Sequence, residues 1–243
     1  MAINENAGFG ATINGKHTFK DYGLVVSNND VVGVPEVKTN IIEVPGSSVR
    51  IDLTETLTGH AEYGGRTLRF TLGKNLEPNM WDEFMRVFYN TYHGQSVKII
   101  LDSSPDYYFT GRASVEDFDR TRTLGTFTLT VDADPYRYDL TNSTEDWLWD
   151  SFNFETGVIR EYSNIAVSSS YSLFVPGSSV PVTPTFKVSN ITSSASYVTA
   201  NSKRYTLNSG NNRFAELSVP TTGCTLTFSG TFTVSVIFQG KSL

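Results

Sequence analysis

The sequence predicts an all-β protein with one prominent helix, arranged as two β-sandwich domains. Three observations predict it. Apolar and polar residues alternate with a period of two along several segments, the pattern of strands with one face on a core and one face wet. A single segment has helical spacing instead. The composition changes sharply near residue 140, and a change of that kind marks a domain boundary.

The strands come first. Val49, Ile51 and Leu53 alternate with Arg50, Asp52 and Thr54. Leu68, Phe70 and Leu72 alternate with Thr67, Arg69 and Thr71. Phe127, Leu129 and Val131 repeat the pattern, as do Phe232, Val234, Val236 and Phe238. The run VKIIL at 97–101 is continuously apolar and predicts a buried strand. Glycine, proline, asparagine and serine clusters separate these runs at the spacing of sandwich turns.

The helix is predicted at about 79–93, within EPNMWDEFMRVFYNTYHG. Trp81, Phe84, Met85, Phe88 and Tyr92 recur on one face. Asn79 is placed to cap the N-terminus, Asp82 and Glu83 lie in the first turn, and Gly94 can close the C-terminus. An aromatic stripe of this kind packs on a sheet.

The boundary falls in DADPYRYDL, residues 132–140. Up to Leu140 there are 13 Lys/Arg against 19 Asp/Glu; beyond it there are 6 of each. Residues 163–243 hold one acid, Glu216, and 28 Ser/Thr. The domains are therefore placed at 1–140 and 141–243. With 39% hydrophobic and 13% aromatic residues there is material for a packed core. The net charge of −6, without any basic cluster, argues against nucleic-acid binding as the main task. No stretch approaches the roughly 18 apolar residues of a membrane span, and the first residues show no secretory leader. One cysteine, Cys224, cannot form an internal disulfide. A protein folded in a reducing cytosol fits these features.

Candidate chemistry is sparse. His17, His60 and His93 share no metal-ligand spacing with one another or with Cys224. Glu116, Asp117 and Asp119, and then Asp132, Asp134 and Asp139, are acids of the kind a glycoside hydrolase or a calcium site uses. They lack the glycine and closing glutamate of an EF-hand loop, and alternate acids usually mark a solvated face. Trp147 and Trp149 lie on the same side of an extended DWLWD, where they either anchor a strand or stack on sugar or partner. The sequons at Asn142 and Asn190 are read as chance. No phosphate loop is present, and GFG at 8–10 and YGGR at 63–66 lack strand–turn–helix context. No enzyme, cofactor or metal is expected.

The hexapeptide VPGSSV occurs at 44–49 and again at 175–180, 131 positions apart. Its flanks differ, so it is not a domain duplication. Pro-Gly at the central positions predicts a type II turn in both copies.

In its first 140 residues the chain resembles the distal tail proteins (Dit) of long-tailed, non-contractile bacteriophages. HTFKDYGLVV (17–26) looks like that family's opening strand, with Asp21, Gly23 and Leu24 at matching positions. PEVKTNIIEVPGSSVRIDLTETLTG (35–59) resembles the next hairpin, carrying Pro45, Gly46, Asp52 and Glu55. EYGGRTLRFTL (62–72) resembles the following strand, with Gly65 and Arg66. YYFTGRASV (107–115) and GTFTLTVDADPYRY (125–138) are similar to the closing strands, ending on Pro135 and Tyr136.

The resemblance implies a structural virion component and no catalysis. It implies a homohexameric ring at the tail tip or baseplate, joining the major tail tube protein to the tail-tip hub or tail-associated lysin. The second domain, galectin-like in the family, decorates the ring and holds receptor-binding proteins. It implies that DNA passes through without specific binding, and the acid excess of the first domain is expected to face the lumen. The protein is made in the host bacterial cytoplasm and has no membrane partner. Residues 141–243 have no histidine and carry their tryptophans at the start, unlike a sugar-binding galectin site. The alternative from the residues alone is a carbohydrate-binding module or host-surface adhesin, resting on Trp147 and Trp149.

Overall fold

The computed structural model describes residues 10–28, 31–46, 48–56, 59–145, 160–193 and 195–243. Among them the protein is all-β with a single α-helix, as the periodicity predicts. The chain divides into two compact units, Met1–Arg137 and Tyr138–Leu243.

In the first unit the strands are β1 (Ala11–Ile13), β2 (Lys16–His17), β3 (Val25–Val26), β4 (Val37–Lys38), β5 (Ile41–Glu43), β6 (Arg50–Asp52), β7 (Glu62–Tyr63) and β8 (Arg66–Asn75). A 3-10 turn (Pro78–Met80) leads into α1 (Trp81–Tyr92). Then come β9 (Ser96–Leu101), β10 (Ser104–Arg120), β11 (Leu124–Ala133) and a short β12 (Arg137–Asp139) at the boundary. The main sheet runs β2-β1-β9-β10-β11-β8-β3, and its pairs are antiparallel. Its register sets the core. Leu68, Phe70 and Leu72 of β8 stand opposite Val131, Leu129 and Phe127 of β11, and all six are buried. β9 alternates as well. Val97, Ile99 and Leu101 are buried, while Lys98 is exposed and Ile100 intermediate. The apolar run VKIIL therefore buries one face only, and on the opposite face Lys98 stands beside Thr110 and Ile100 beside Thr12.

The helix covers the inward face. Trp81, Met85, Phe88 and Tyr92 are buried along it. Phe88 meets Phe127 edge-on at 5.0 Å and Tyr22 at 5.6 Å. The hydroxyls of Tyr22 and Tyr92 are 2.8 Å apart. Trp81 donates from Nε1 to the Thr123 carbonyl at 3.2 Å, and its ring fills the space above Gly125. One local expectation fails. Asn79 is no cap: it lies inside the 3-10 turn, and the cap position is Met80, already helical at φ −94°, ψ −11°, with no side-chain hydrogen bond. Pro78 starts a helical turn early, so the chain enters α1 through helical backbone rather than from an extended cap. Asp82 and Glu83 supply the negative charge at this end. Gly94 follows the helix at φ +75° and stops it, as expected.

The second unit contains β13 (Ile165–Val175), β14 (Thr185–Ser189), β15 (Tyr197–Ala200), β16 (Lys203–Thr206), β17 (Gly210–Arg213), β18 (Cys224–Ile237) and β19 (Lys241–Ser242). Everything is organised on β18. It pairs with β13 along all of that strand's eleven residues. On its other edge it takes β15 at 227–229 and β14 at 233–237. Between those two partners stands Gly230 at φ +128°, opposite Ser169 at φ +74°. The register with β13 runs unbroken through this pair while the partner on the other edge changes. A Cβ at Gly230 would lie 2.8 Å from Ser193 Oγ and 2.9 Å from the Ala195 carbonyl. Phe232, Val234, Val236 and Phe238 all point into the core, as their alternation predicts.

Phe88→Ala is expected to cost about 3–5 kcal/mol in urea unfolding, from lost burial and the cavity left behind. Gly125→Ala places a methyl within 2.6 Å of the Trp81 ring. It is expected to lower stability by about 1–3 kcal/mol, with a changed tryptophan near-UV signal.

Candidate functional site

The segment 40–54 stands apart in the first unit by its exposure. β5 and β6, like β4 and β7, form a sheet of two strands only. Ile41 pairs with Asp52, Ile42 with Ile51, and Glu43 with Arg50. All six residues are exposed. Alternation at 49–53 predicts a strand with its apolar face on a core, and in the single chain it has none. Ile41, Ile42, Val49 and Ile51 are 45–61% exposed. Nearby in sequence, Val34 is 93% and Val37 47% exposed. Scattered exposed valines need no explanation, but apolar side chains gathered on one hairpin mark a contact surface.

The hairpin is held open by its own chemistry. Gly46 has φ +79° with nothing near its Cβ position, as Pro-Gly in a type II turn requires. Glu43 and Arg50 pair at 3.3 Å at the turn end, both largely exposed. At the open end the Leu53 amide donates to the Asn40 carbonyl at 2.8 Å, and the Asn40 amide to Thr54 Oγ1 at 3.0 Å. Asp52 Oδ1 accepts the Thr54 amide at 2.9 Å. Hydrogen bonds from the Thr54 side chain and backbone hold the Asp52 carboxyl below its ordinary value. The two strands expose backbone on both outer edges, which suits strand addition by another chain.

The second VPGSSV copy is a different structure. Gly177 has no positive φ among the glycines that do. A Cβ there would lie 2.2 Å from the Thr221 carbonyl oxygen and 2.4 Å from that of Pro220. Glycine is needed for close backbone approach, not for a type II turn. Its carbonyl accepts from Arg160 Nη2 at 2.8 Å, and Ser178 Oγ bonds the Lys241 backbone on both sides. The same six letters make an exposed turn once and a packed latch once.

The remaining candidates are dispersed. Asp21 accepts the His17 amide at 2.6 Å, Gly23 has φ +65° and Leu24 is fully buried. Together they shape the turn before β3. Pro45, Gly46, Asp52 and Glu55 belong to the hairpin and the turn after it, where the Gly59 amide reaches the Glu55 carbonyl at 2.8 Å. Gly65, Arg66, Pro135 and Tyr136 are brought together: Arg66 pairs with Ala133, and Tyr136 packs edge-on against Tyr63 at 6.2 Å. Burial, then Glu62 and Tyr63, push the Tyr136 hydroxyl above its ordinary value. Trp147 and Trp149 lie outside the described residues.

The histidines do not meet. His17 Nδ1 accepts the Phe19 and Lys20 amides while Nε2 faces Asp102 at 3.1 Å. His60 faces Glu62 at 3.1 Å, and His93 Nδ1 accepts the Val115 amide at 3.1 Å. Among the described residues no three His, Cys, Asp or Glu side chains gather to hold a metal. Glu116 accepts from Ser114 at 2.7 Å. Asp117 sits in a β-bulge of β10 at φ +55° and pairs with Arg69 at 3.3 Å. Among the described residues no helix is long and apolar enough to cross a membrane.

No protein-family model matches the sequence, and no curated protein matches it. A solved structure does. The crystal structure of the Dit protein (gp 19.1) of SPP1, a paradigm of the hub adsorption apparatus in Gram-positive-infecting phages, covers 96% of this chain and 99% of its own. The TM-score is 0.58 and the identity 14%. The chain has the fold of this siphophage distal tail protein. The distal tail protein likeness extends through the second unit, where the sequence resemblance stops near residue 140. At 14% identity no residue role transfers with it.

Asp52 is expected to titrate below an ordinary aspartate in a carboxyl NMR titration, and Thr54→Ala to return it toward normal. A depressed folded value contributes stability above the unfolded value and loses it as pH falls through the folded one. The hairpin register should therefore loosen only in acid.

Proposed function

We propose that the chain is a structural component of a phage tail tip. In this reading it forms a homohexameric ring that joins the major tail tube protein to the tail-tip hub or tail-associated lysin. The first unit supplies the ring contacts and the second is left to hold a receptor-binding protein. The observation that carries the reading is the distal tail protein fold over 96% of the chain. The exposed β5–β6 hairpin supports it physically. Removing a Val or Ile side chain from water is worth roughly 1.5–3 kcal/mol, and five such residues on one hairpin, Ile41, Ile42, Val44, Val49 and Ile51, supply a contact between copies. A head-to-tail contact of this kind closes into a ring when its rotation permits. Six more acids than bases up to Leu140 favour a ring that lets DNA pass unbound.

Light scattering and negative-stain imaging of the purified protein test this. A six-fold ring is the expected result. Ile42→Thr with Ile51→Thr, a cross-strand pair, is expected to leave a folded monomer at a cost of about 1 kcal/mol or less. A monomer that binds oligosaccharides would replace the reading with that of an adhesin.

A further inference from the structure

β13 is an open edge strand. It pairs with β18 on one side, and among the described residues no strand takes its other side. Natural sheet edges are kept short, charged or interrupted by proline, because an open edge invites another chain. The other edges of the two large sheets obey that rule. The main sheet ends on β2 and β3, of two residues each. In the second unit β16 carries Lys203 and Arg204, and β17 is four residues long and ends on Arg213. β13 runs for 11 residues without a charge or a proline. Ser169 stands at φ +74° within it, yet the ladder with β18 keeps its register there.

The core beneath this edge is unfinished. Tyr171 and Leu173 stand opposite Phe228 and Leu226, both fully buried, and so share the inward row. Yet Tyr171 is 40% exposed and Leu173 only half-buried. On the outward row Phe174 is 57% exposed. The strand also reads nearly alike in both directions. About Ser170, Ser168 mirrors Ser172, Val167 mirrors Leu173, Ala166 mirrors Phe174 and Ile165 mirrors Val175.

We propose that β13 pairs antiparallel with β13 of a second copy, across a two-fold axis at Ser170. An isologous contact needs a surface complementary to itself, and the mirrored strand supplies one. Ser168 meets Ser172 as a hydroxyl pair, Phe174 lies beside the small Ala166, and Leu173 continues the inward row against Val167. Tyr171 is covered beside Ser169. Every mirrored pair has one parity, so inward rows meet inward rows. A pairing of this length makes about eleven backbone hydrogen bonds, close to the roughly ten of a whole interface of ordinary size. The β5–β6 hairpin is a poorer occupant. Its strands are three residues long, and Glu43, Arg50 and Asp52 would find no counter-charge on β13. The pairing uses the second unit alone and does not rest on the ring reading.

The test is disulfide trapping in the full-length protein. The native thiol, Cys224, is buried. In the proposed register position 170 faces itself at about 4.5–5.5 Å between Cα atoms, a span that a disulfide bridges. Position 168 faces 172, and each lies about 13 Å along the strand from its own copy. Under mild oxidation Ser170→Cys is expected to run as a linked dimer on a non-reducing denaturing gel. Ser168→Cys and Ser172→Cys are each expected to stay single, and an equal mixture of the two to link. No link in Ser170→Cys or in the mixture overturns the proposal, as does equal linking of all three single variants. A six-fold ring without these links leaves the ring reading standing and removes this one. Linked dimers from a protein that forms no six-fold particle do the reverse.

Discussion

The aromatic face of α1 is the constraint on which the first unit rests. The inward side of its main sheet is wide, and one helix has to close it. A helix of 12 residues is about 18 Å long, the width of roughly four strands spaced about 4.8 Å apart. Short side chains would leave the margins uncovered. Trp81, Phe84, Phe88 and Tyr92 supply the reach, and their rings meet at 4.8–6.0 Å along the helix. The sheet yields to them where it must. Gly125 leaves room beneath Trp81, and Tyr22 comes over from the turn before β3 to close the far end. Edge-on contacts of this kind add orientation to burial, so the helix has one seat.

Much of this was legible in the sequence, because period two and period 3.6 report directly on which side chains share a face. The rows at 68–72, 127–131 and 232–238 and the stripe from Trp81 to Tyr92 lie where alternation and helical spacing put them. Destination was not legible. Val49 and Ile51 alternate as well as any core strand, yet they face outward. A periodic pattern specifies that a face must be covered, without specifying by which chain. An interface strand and a core strand obey the same rule, and only coordinates separate them.

Arg66 and the VPGSSV pair show two other limits. Arg66 occupies the inward parity of β8, but a charge at the end of a run reads as a strand terminus rather than as a buried group. The register with Ala133 fixes its position, and register depends on a partner 67 residues away. In VPGSSV the letters specify an available turn, while neighbours decide its use. Where solvent surrounds it, Gly46 takes a positive φ; where residues 220–221 press against it, Gly177 serves by lacking a side chain. Asn79 fails for a related reason, since Pro78 one residue earlier already commits the backbone to a helical turn.

The central place of β18 in the second unit has a kinetic side. β13, β14 and β15 do not pair with one another; β13 pairs with β18, and β14 and β15 pair with β18 beside their nearer partners β17 and β16. Ile165 finds Val234 across 69 residues, and Val188 finds the same residue on its other edge. Long loops must close before any of these ladders forms, and closure entropy of that kind slows folding. Until β18 arrives, three strands rich in serine and threonine offer open edges to any passing chain. On β13 Ser168, Ser169, Ser170 and Ser172 are exposed beside Tyr171 and Phe174, and those serines dilute the apolar surface of the strand during that delay. The second unit has to stay soluble while waiting for its last partner.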